Sequence, residues 1–341
     1  MPQRVTLKDI ANKTGYTVNT ISRALNNKSD ISEQTKKYVR EIADSMGYIN
    51  DSMAGSLRSG KTKTIAVILS DIANPHLAHQ VKLIELNAVE YGYNTIILNT
   101  DENSEHERRA IISAYEKRVD GILICPVQQN EDNIKFLQSI NIPFVLIGRY
   151  FKNLEADAVL SDDIKAGYLA TKHLIDKGFC KILFMSAPKY ISSARERLEG
   201  YIKAHNEANI SIHNELIHCT NVKSGNAKEI MDSIIENHIN FDSVIAFSDM
   251  LAFEIKCVLM NVYGNEADTI PIIGFDGVQS HLPLPFKFTS IGMEKDGWAK
   301  EAVALLFNRI QNPNLPKEKI VRNVSLLNFD YVNDNDIIKS K

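Results

Sequence analysis

Long apolar runs are missing from this 341-residue chain, and none reaches the roughly 18 residues that a membrane-spanning helix needs. The opening MPQRVTLKDIA has no apolar h-region, so neither a secretory signal nor a membrane partner is expected. Four cysteines (Cys125, Cys180, Cys219 and Cys257) stand far apart without a CxxC pair. That spacing argues against a zinc site or a disulfide framework and fits reduced thiols in a cytoplasmic protein. Catalytic signatures are missing as well: no GxSxG elbow, no Walker A loop, no GxGxxG after the first strand-like run and no HExxH. His173, His205, His213 and His218 are scattered without metal spacing and are expected at the surface. No enzyme activity, cofactor or metal is therefore expected.

What is present is ordinary globular material, 44% hydrophobic and 24% charged, in a chain long enough for two or three domains. The net charge of −3 conceals an asymmetry. Residues 1–63 carry 11 Lys and Arg against 6 Asp and Glu, a balance of +5, which leaves −8 on the remainder. A small basic head on an acidic body suits a polyanionic partner for the head, although a lysine-rich solvated face would have the same composition.

Residues 6–47 have the periodicity of three short helices. Leu7, Ile10 and Ala11 share one face, and Gly15 marks a turn. Thr17 has N-cap chemistry ahead of VNTISRALNN, where Ile21, Ala24 and Leu25 turn inward. A third helix follows Ser32 and ends at Gly47. The segment 48–63, YINDSMAGSLRSGKTK, is small, polar and basic, and has the composition of a linker. Beyond it the grammar changes. Apolar runs at 64–71, 93–100, 121–127, 143–149, 181–187, 243–249 and 271–276 alternate with helix-length stretches at 76–91, 104–118, 163–177, 193–208, 225–238 and 250–261. Such runs are buried parallel strands in βαβ units, and about a dozen strands predict two α/β lobes. Trp298 and most other aromatics are expected in the core.

The second helix of the head has the chemistry of a major-groove reader. Its outward positions are Val18, Asn19, Ser22 and Arg23: asparagine pairs with adenine, arginine with guanine, and valine meets a thymine methyl. Thr17, Thr20, Lys36 and Lys37 suit phosphates. Thr6 and Asn26 complete the candidate DNA-binding set. An ordinary polar face on a three-helix bundle is the competing interpretation of the same residues. In the body, ligands of open parallel sheets bind beyond the carboxyl ends of the strands. The residues found there are Asp71, Asn74, His76, Arg149, Asp162, Asp163, Ser248, Asp249 and Asp276, with Arg197 on the helix after KILFMSA.

The stretch TLKDIANKTGYTVNTISRALNNKSDISEQTKKYVREIADSMGYIND resembles the head of LacI/GalR bacterial transcriptional regulators almost position by position. Its T-L-x-D-I-A, V-x-x-T-I-S-R-x-L-N, I-S-x-x-T and M-G-Y elements together are specific, and the resemblance continues over essentially the whole chain. It implies an all-α helix-turn-helix head (1–48), a hinge helix or linker (49–62) and a periplasmic-binding-protein-like α/β body of two lobes (63–341). The lobes would comprise about 63–161 plus 292–322, and about 162–291 plus 323–341. It implies that Thr17, Val18, Asn19, Ser22 and Arg23 face operator DNA. Leu57 would be the hinge leucine that wedges into the minor groove, with Ala54 against its dimer mate. Gly55 and Asn50 depart from the family's hinge, although Asp51 retains N-cap chemistry.

In the body, Arg197 and Asp276 stand at the family's effector-binding arginine and aspartate. His76, Arg149, Asp162 and Asp249 complete the expected effector set. Gly148 before Arg149, Ser248 before Asp249, and Gly277 after Asp276 depart from the family's pattern and leave the ligand open. Two arginines near the cleft would suit a phosphorylated sugar. The expectation is thus a cytoplasmic repressor whose affinity for double-stranded operator DNA is controlled by a small, carbohydrate-like effector. A homodimer is favoured over a tetramer, since no leucine-heptad tail follows DYVNDNDIIKSK. The alternative is control by a protein partner in place of a small ligand. A transport or chemotaxis binding protein is disfavoured by the head.

Overall fold

The computed structural model describes residues 5–49, 60–220, 227–285 and 287–328. The hinge positions Asn50, Asp51, Ala54, Gly55 and Leu57 lie outside them. The chain divides into two compact units, residues 1–62 and 63–341. Among the described residues, no helix is long and apolar enough to cross a membrane.

The first unit is built on helix caps. Helix α1 (Leu7–Thr14) begins with a reciprocal capping box between Thr6 and Asp9 and stops at Gly15, whose φ of 76° makes the turn. Thr17 caps α2 (Val18–Leu25) by accepting the Thr20 N–H at 3.1 Å, and Ser32 caps α3 (Glu33–Ser45) through the Thr35 N–H at 3.2 Å. The inward residues Ile10, Ala11, Ile21, Ala24, Val39 and Ala43 form one small core.

The second unit has two six-stranded sheets. In the first lobe, β1 (Thr64–Leu69), β2 (Asn94–Asn99), β3 (Gly121–Ile124), β4 (Phe144–Ile147) and β5 (Asp157–Ser161) alternate with α4 (Pro75–Glu90), α5 (Ser104–Glu116) and α6 (Asp132–Ser139). The chain then enters the second lobe through α7 (Asp163–Asp176), β6 (Ile182–Ser186), α8 (Ser192–Ala208), β7 (Ile217–Cys219), α9 (Ala227–Glu236), β8 (Ser243–Ala246), α10 (Asp249–Tyr263), β9 (Ile272–Phe275) and β10 (Thr289–Gly292). It returns to the first lobe as α11 (Lys295–Gln311) and β11 (Lys319–Arg322), and finishes in the second as β12 (Ser325–Leu327). The strand orders are β11-β5-β4-β3-β1-β2 and β12-β10-β9-β8-β6-β7, and only β12 is antiparallel. Central strands such as β3 and β4 are buried along their whole length, which is why they appear in the sequence as unbroken apolar runs. Strand β1 lies between β2 and β3, and β6 between β7 and β8. Each lobe therefore has a switch point, with a crevice at its strand carboxyl ends. Trp298 is fully buried under the first sheet. His205, expected at the surface, is instead buried in the second lobe, with Nδ1 3.1 Å from the Tyr201 carbonyl oxygen and its ring against the Tyr201 ring.

One buried ion pair fixes the returning segment. Arg309 on α11 donates Nε and Nη2 to the Asp157 carboxylate of β5 at 2.7 and 3.0 Å. Its remaining N–H groups reach the carbonyls of Pro313, Leu315 and Pro316. Every donor is thus satisfied, and removing the guanidinium leaves the fully buried carboxylate with only the Glu318 N–H at 2.9 Å and the more distant Lys317 ammonium at 3.8 Å. Arg309→Ala should destabilise the body by about 3–5 kcal/mol, measured as a lower urea midpoint with an unchanged slope.

Candidate functional site

The head presents one face of α2 to solvent. Ile21 and Ala24 point inward, Val18 and Asn19 are exposed, and Ser22 is half-buried. Thr6, Thr17 and Thr20 sit at helix starts, where their hydroxyls already take part in caps. Asn26 ends α2, its amide donating to the Ser22 carbonyl at 2.7 Å. Arg23 is exposed, but Asp30 grips it through Nε at 2.8 Å and Nη2 at 2.6 Å. An exposed pair of this kind is weak, so a guanine edge or a phosphate could compete for the guanidinium. Lys36 differs from expectation. It is buried, with Nζ 2.7 Å from Glu33, and belongs to the packing of α3, whereas Lys37 remains exposed.

In the body, loops from both lobes enclose a cavity of about 570 Å³ at the strand carboxyl ends. That lies within the range of small-molecule sites. Of the six effector residues expected from sequence, His76, Arg149, Arg197 and Asp276 line it. Asp162 does not: its carboxylate caps α7 by accepting the Lys165 N–H at 2.9 Å. Asp249 does not either. It is fully buried below the lining, accepting the Val278 N–H and the Ser290 hydroxyl, both at 2.6 Å.

Arg197 is the most constrained of these side chains. Nε donates to Asp163 at 2.7 Å, Nη1 donates to the Phe247 carbonyl at 2.5 Å, and the guanidinium lies over the Phe275 and Phe247 rings at 4.3 and 5.0 Å. Its Nη2 makes no hydrogen bond to the protein among the described residues. Two glycines set the backbone behind it. A Cβ on Gly167 of α7 would stand 2.0 Å from the Arg197 carbonyl oxygen, and one on Gly200 of α8 would stand 2.1 Å from that of Ile164. The two helices are in backbone contact, and this places Arg197 beside Asp163.

Asp276 sits across from His76 with a φ of 104°, a conformation that side chains rarely adopt. Asp249 braces the loop beneath it, and Gly274 leaves room for that carboxylate, since a Cβ there would lie 2.2 Å from Asp249 Oδ1. Burial pushes Asp276 up to about 6, against the pull of Arg197 and Lys295. Burial and the charge of Asp276 push Asp249 up to about 8. The two carboxyls therefore hold a proton between them near neutrality. Burial, with Lys295 and Arg197 nearby, pushes His76 down to about 3. Its 3.9 Å approach to Asp276 is thus made by a neutral ring and is not an ion pair.

On the first-lobe wall, Arg149 is held bidentately by Glu102 at 2.6 and 2.9 Å, with both side chains largely buried. Each of the two cavity arginines already faces a carboxylate, Arg149 that of Glu102 and Arg197 that of Asp163. Among the described lining residues, two arginines meet the carboxyls of Asp71, Asp101, Glu102, Asp163, Glu254 and Asp276. Sequence reasoning passed over Glu102, Phe247 and Phe275 and chose Asp162 over its neighbour Asp163. The N-cap preference for aspartate assigns Asp162 to the helix start and so points to Asp163 as the free carboxylate. Phe247 and Phe275 end two of the apolar runs. Nothing in the sequence marks Glu102, which sits in a left-handed pair with Asp101.

Comparison with known proteins supplies the context. Residues 6–51 match the model of the bacterial regulatory proteins of the lacI family, and residues 62–281 match that of the periplasmic binding proteins and sugar binding domain of the LacI family. The chain is 27% identical over 316 residues to the HTH-type transcriptional repressor PurR of Mannheimia succiniciproducens, covering 92% of this chain and 95% of that protein. It is 29% identical over 308 residues to the repressor of the same description from Vibrio vulnificus, covering 90% and 92%. Its fold matches the lac repressor dimer bound to operator and the anti-inducer ONPF with a TM-score of 0.82 at 19% identity, covering 95% of this chain and 98% of that one. A complex of the regulator CelR with cellobiose matches with a TM-score of 0.71 at 22% identity and the same coverage. A two-lobed body behind a helix-turn-helix head, matched by both family models along most of its length, makes this chain a member of the LacI family of bacterial transcriptional regulators.

Proposed function

We propose that the protein is a homodimeric repressor that reads operator DNA through α2 and responds to an uncharged, polyhydroxylated effector of the sugar class. The cavity carries the reading of the effector. Arg197 is fixed with one nitrogen left for a ligand, Asp276 lines the same cavity with an acceptor carboxylate, and the charges of both arginines are already matched. Hydroxyl groups satisfy a donor and an acceptor together. A phosphate would meet an excess of carboxylates. An effector that favours one arrangement of the lobes shifts operator affinity by that difference alone. Control by a protein partner has no comparable support in the described residues.

The reading of the head rests on the exposed Val18, Asn19 and Ser22 face, with Arg23 released from Asp30 on binding. The dimer reading rests on apolar side chains exposed on adjoining elements of the first lobe: Leu86 and Val89 on α4, Ile97 on the edge strand β2, and Ile112 and Tyr115 on α5. A face of this kind on a soluble protein marks an interface, and a two-fold axis makes it self-complementary.

Selection from random duplexes with the full chain should enrich a pseudo-palindrome, and Asn19→Ala should relax preference at one base per half-site at a cost of about 1–3 kcal/mol. Enrichment of no sequence at moderate salt would overturn the repressor reading. Calorimetry against neutral sugars and their phosphates should give heat with a neutral compound only. Arg197→Lys should weaken that binding at least about tenfold while operator affinity stays within about twofold. A hydroxyl donating to Asp276 favours its ionised form, so affinity should fall as pH drops through about 6, and binding should release a proton at and just below that pH. Leu86→Asp with Tyr115→Asp should halve the mass seen by analytical ultracentrifugation; an unchanged mass would place the dimer elsewhere.

A further inference from the structure

Helix α8 carries two i, i+4 pairs side by side. Ser193 and Arg197 line the cavity. Ser192 and Glu196, one position earlier, reach the opposite lobe. The Ser192 N–H donates to Gln128 Oε1 at 2.8 Å, and the Ser192 hydroxyl donates to the same oxygen at 3.2 Å. The Tyr150 N–H donates to Ser192 Oγ at 3.3 Å, and the Tyr150 hydroxyl donates to the Glu196 carboxylate. Gln128 follows β3 and Tyr150 follows β4, so both belong to the first lobe.

The start of α8 gives this bridge its weight. The residue before it is Ile191, which has no capping oxygen, and no cap bond forms there. In the same lobe, α7 and α10 are capped by their own neighbours, Asp162 and Ser248. The first amide of α8 is satisfied by a glutamine from across the cleft. That glutamine is itself fixed. Its Nε2 donates to the Tyr150 carbonyl at 2.6 Å, and the preceding Val127 N–H is held at 2.9 Å by the fully buried Glu107. Asn133 steadies the same carboxylate at 3.3 Å, and the Lys319 ammonium covers the Tyr150 ring at 3.5 Å.

We infer that Gln128 and Tyr150 are positioning residues of the effector site: the first lobe caps and clamps α8, and this holds Ser193 and Arg197 against the cavity. When the lobes part, the first turn of α8, which carries Ser193 and leads into Arg197, loses its cap. A ligand that draws the lobes together orders the helix that binds it, and the ordered helix favours closure. The inference rests on the effector reading only for what the cavity holds; the latch itself needs no ligand.

The test is hydrogen–deuterium exchange with mass spectrometry on the full, ligand-free chain. In Gln128→Leu and in Tyr150→Phe, peptides covering residues 188–200 should exchange about tenfold faster, as expected for loss of one buried hydrogen bond. Peptides from β1 and β6 should keep their rates. Modification of Arg197 by phenylglyoxal should accelerate in the same two variants. Because Tyr150→Phe and Glu196→Ala each remove one shared bond, combining them should add little to Tyr150→Phe alone. Wild-type exchange at 188–200 in both single variants would overturn the latch, and so would equal acceleration in every peptide. Unchanged Arg197 reactivity would overturn its positioning role. A failure of all sugars in calorimetry would leave these rates as they are and would count against the effector reading alone.

Discussion

The chain passes between the lobes three times: from Ser161 into α7, from Gly292 into α11, and from Arg322 into β12. This constraint orders the rest of the body. It requires the last strands to complete both sheets, β11 beside β5 and β12 beside β10. It also turns the carboxyl ends of both sets of strands toward one space, so that polar loops from two independent cores line a single cavity. Three parallel connections resist sliding but leave bending free, which is the geometry of a hinge. The Arg309–Asp157 pair holds the return path in register at the far side of the first sheet.

The electrostatics of the cavity follow from that convergence. Loops from parallel strands bring many carboxyl groups together, and a crowded buried set cannot all ionise. The response here is threefold. Arg149 and Arg197 are each matched to a carboxylate, Asp249 and Asp276 hold a proton between them, and His76 stays neutral. Selection by such a cavity depends on where donors and acceptors point more than on net charge. Rigid side chains matter for the same reason, and Arg197 is fixed on every side except the one facing the cavity.

Much of this was legible in the sequence, for identifiable reasons. Strands buried on both faces produce unbroken apolar runs, so β1, β3, β4, β6, β8 and β9 fall inside the segments read from hydrophobicity. The head was legible because Thr6, Gly15, Thr17 and Ser32 have cap and turn chemistry that depends on neighbouring residues alone. Helix α11 was harder to see, since its contacts on several sides make residues apolar around the whole helix and blur the period. The contact of Glu102 with Arg149 spans a long sequence separation and was invisible. The burial of Lys36 and His205 was missed for another reason: their partners Glu33 and Tyr201 lie one helical turn away, and only tertiary packing decides that those helix faces turn inward. The choice between Asp162 and Asp163 turned on one residue of register. Adjacent residues on a helix point about 100° apart, so the first caps the helix while the second meets Arg197.

The backbone contact between α7 and α8 separates where the key arginine stands from what surrounds it. Its location is fixed by the absence of two methyl groups, at Gly167 and Gly200, while the shape and polarity of the cavity are set by side chains on other loops. Redesign of the cavity toward a new ligand therefore has wide freedom at the loop positions. It has almost none at these two glycines, where even alanine would drive the helices apart and carry the anchor away from any molecule it was meant to hold.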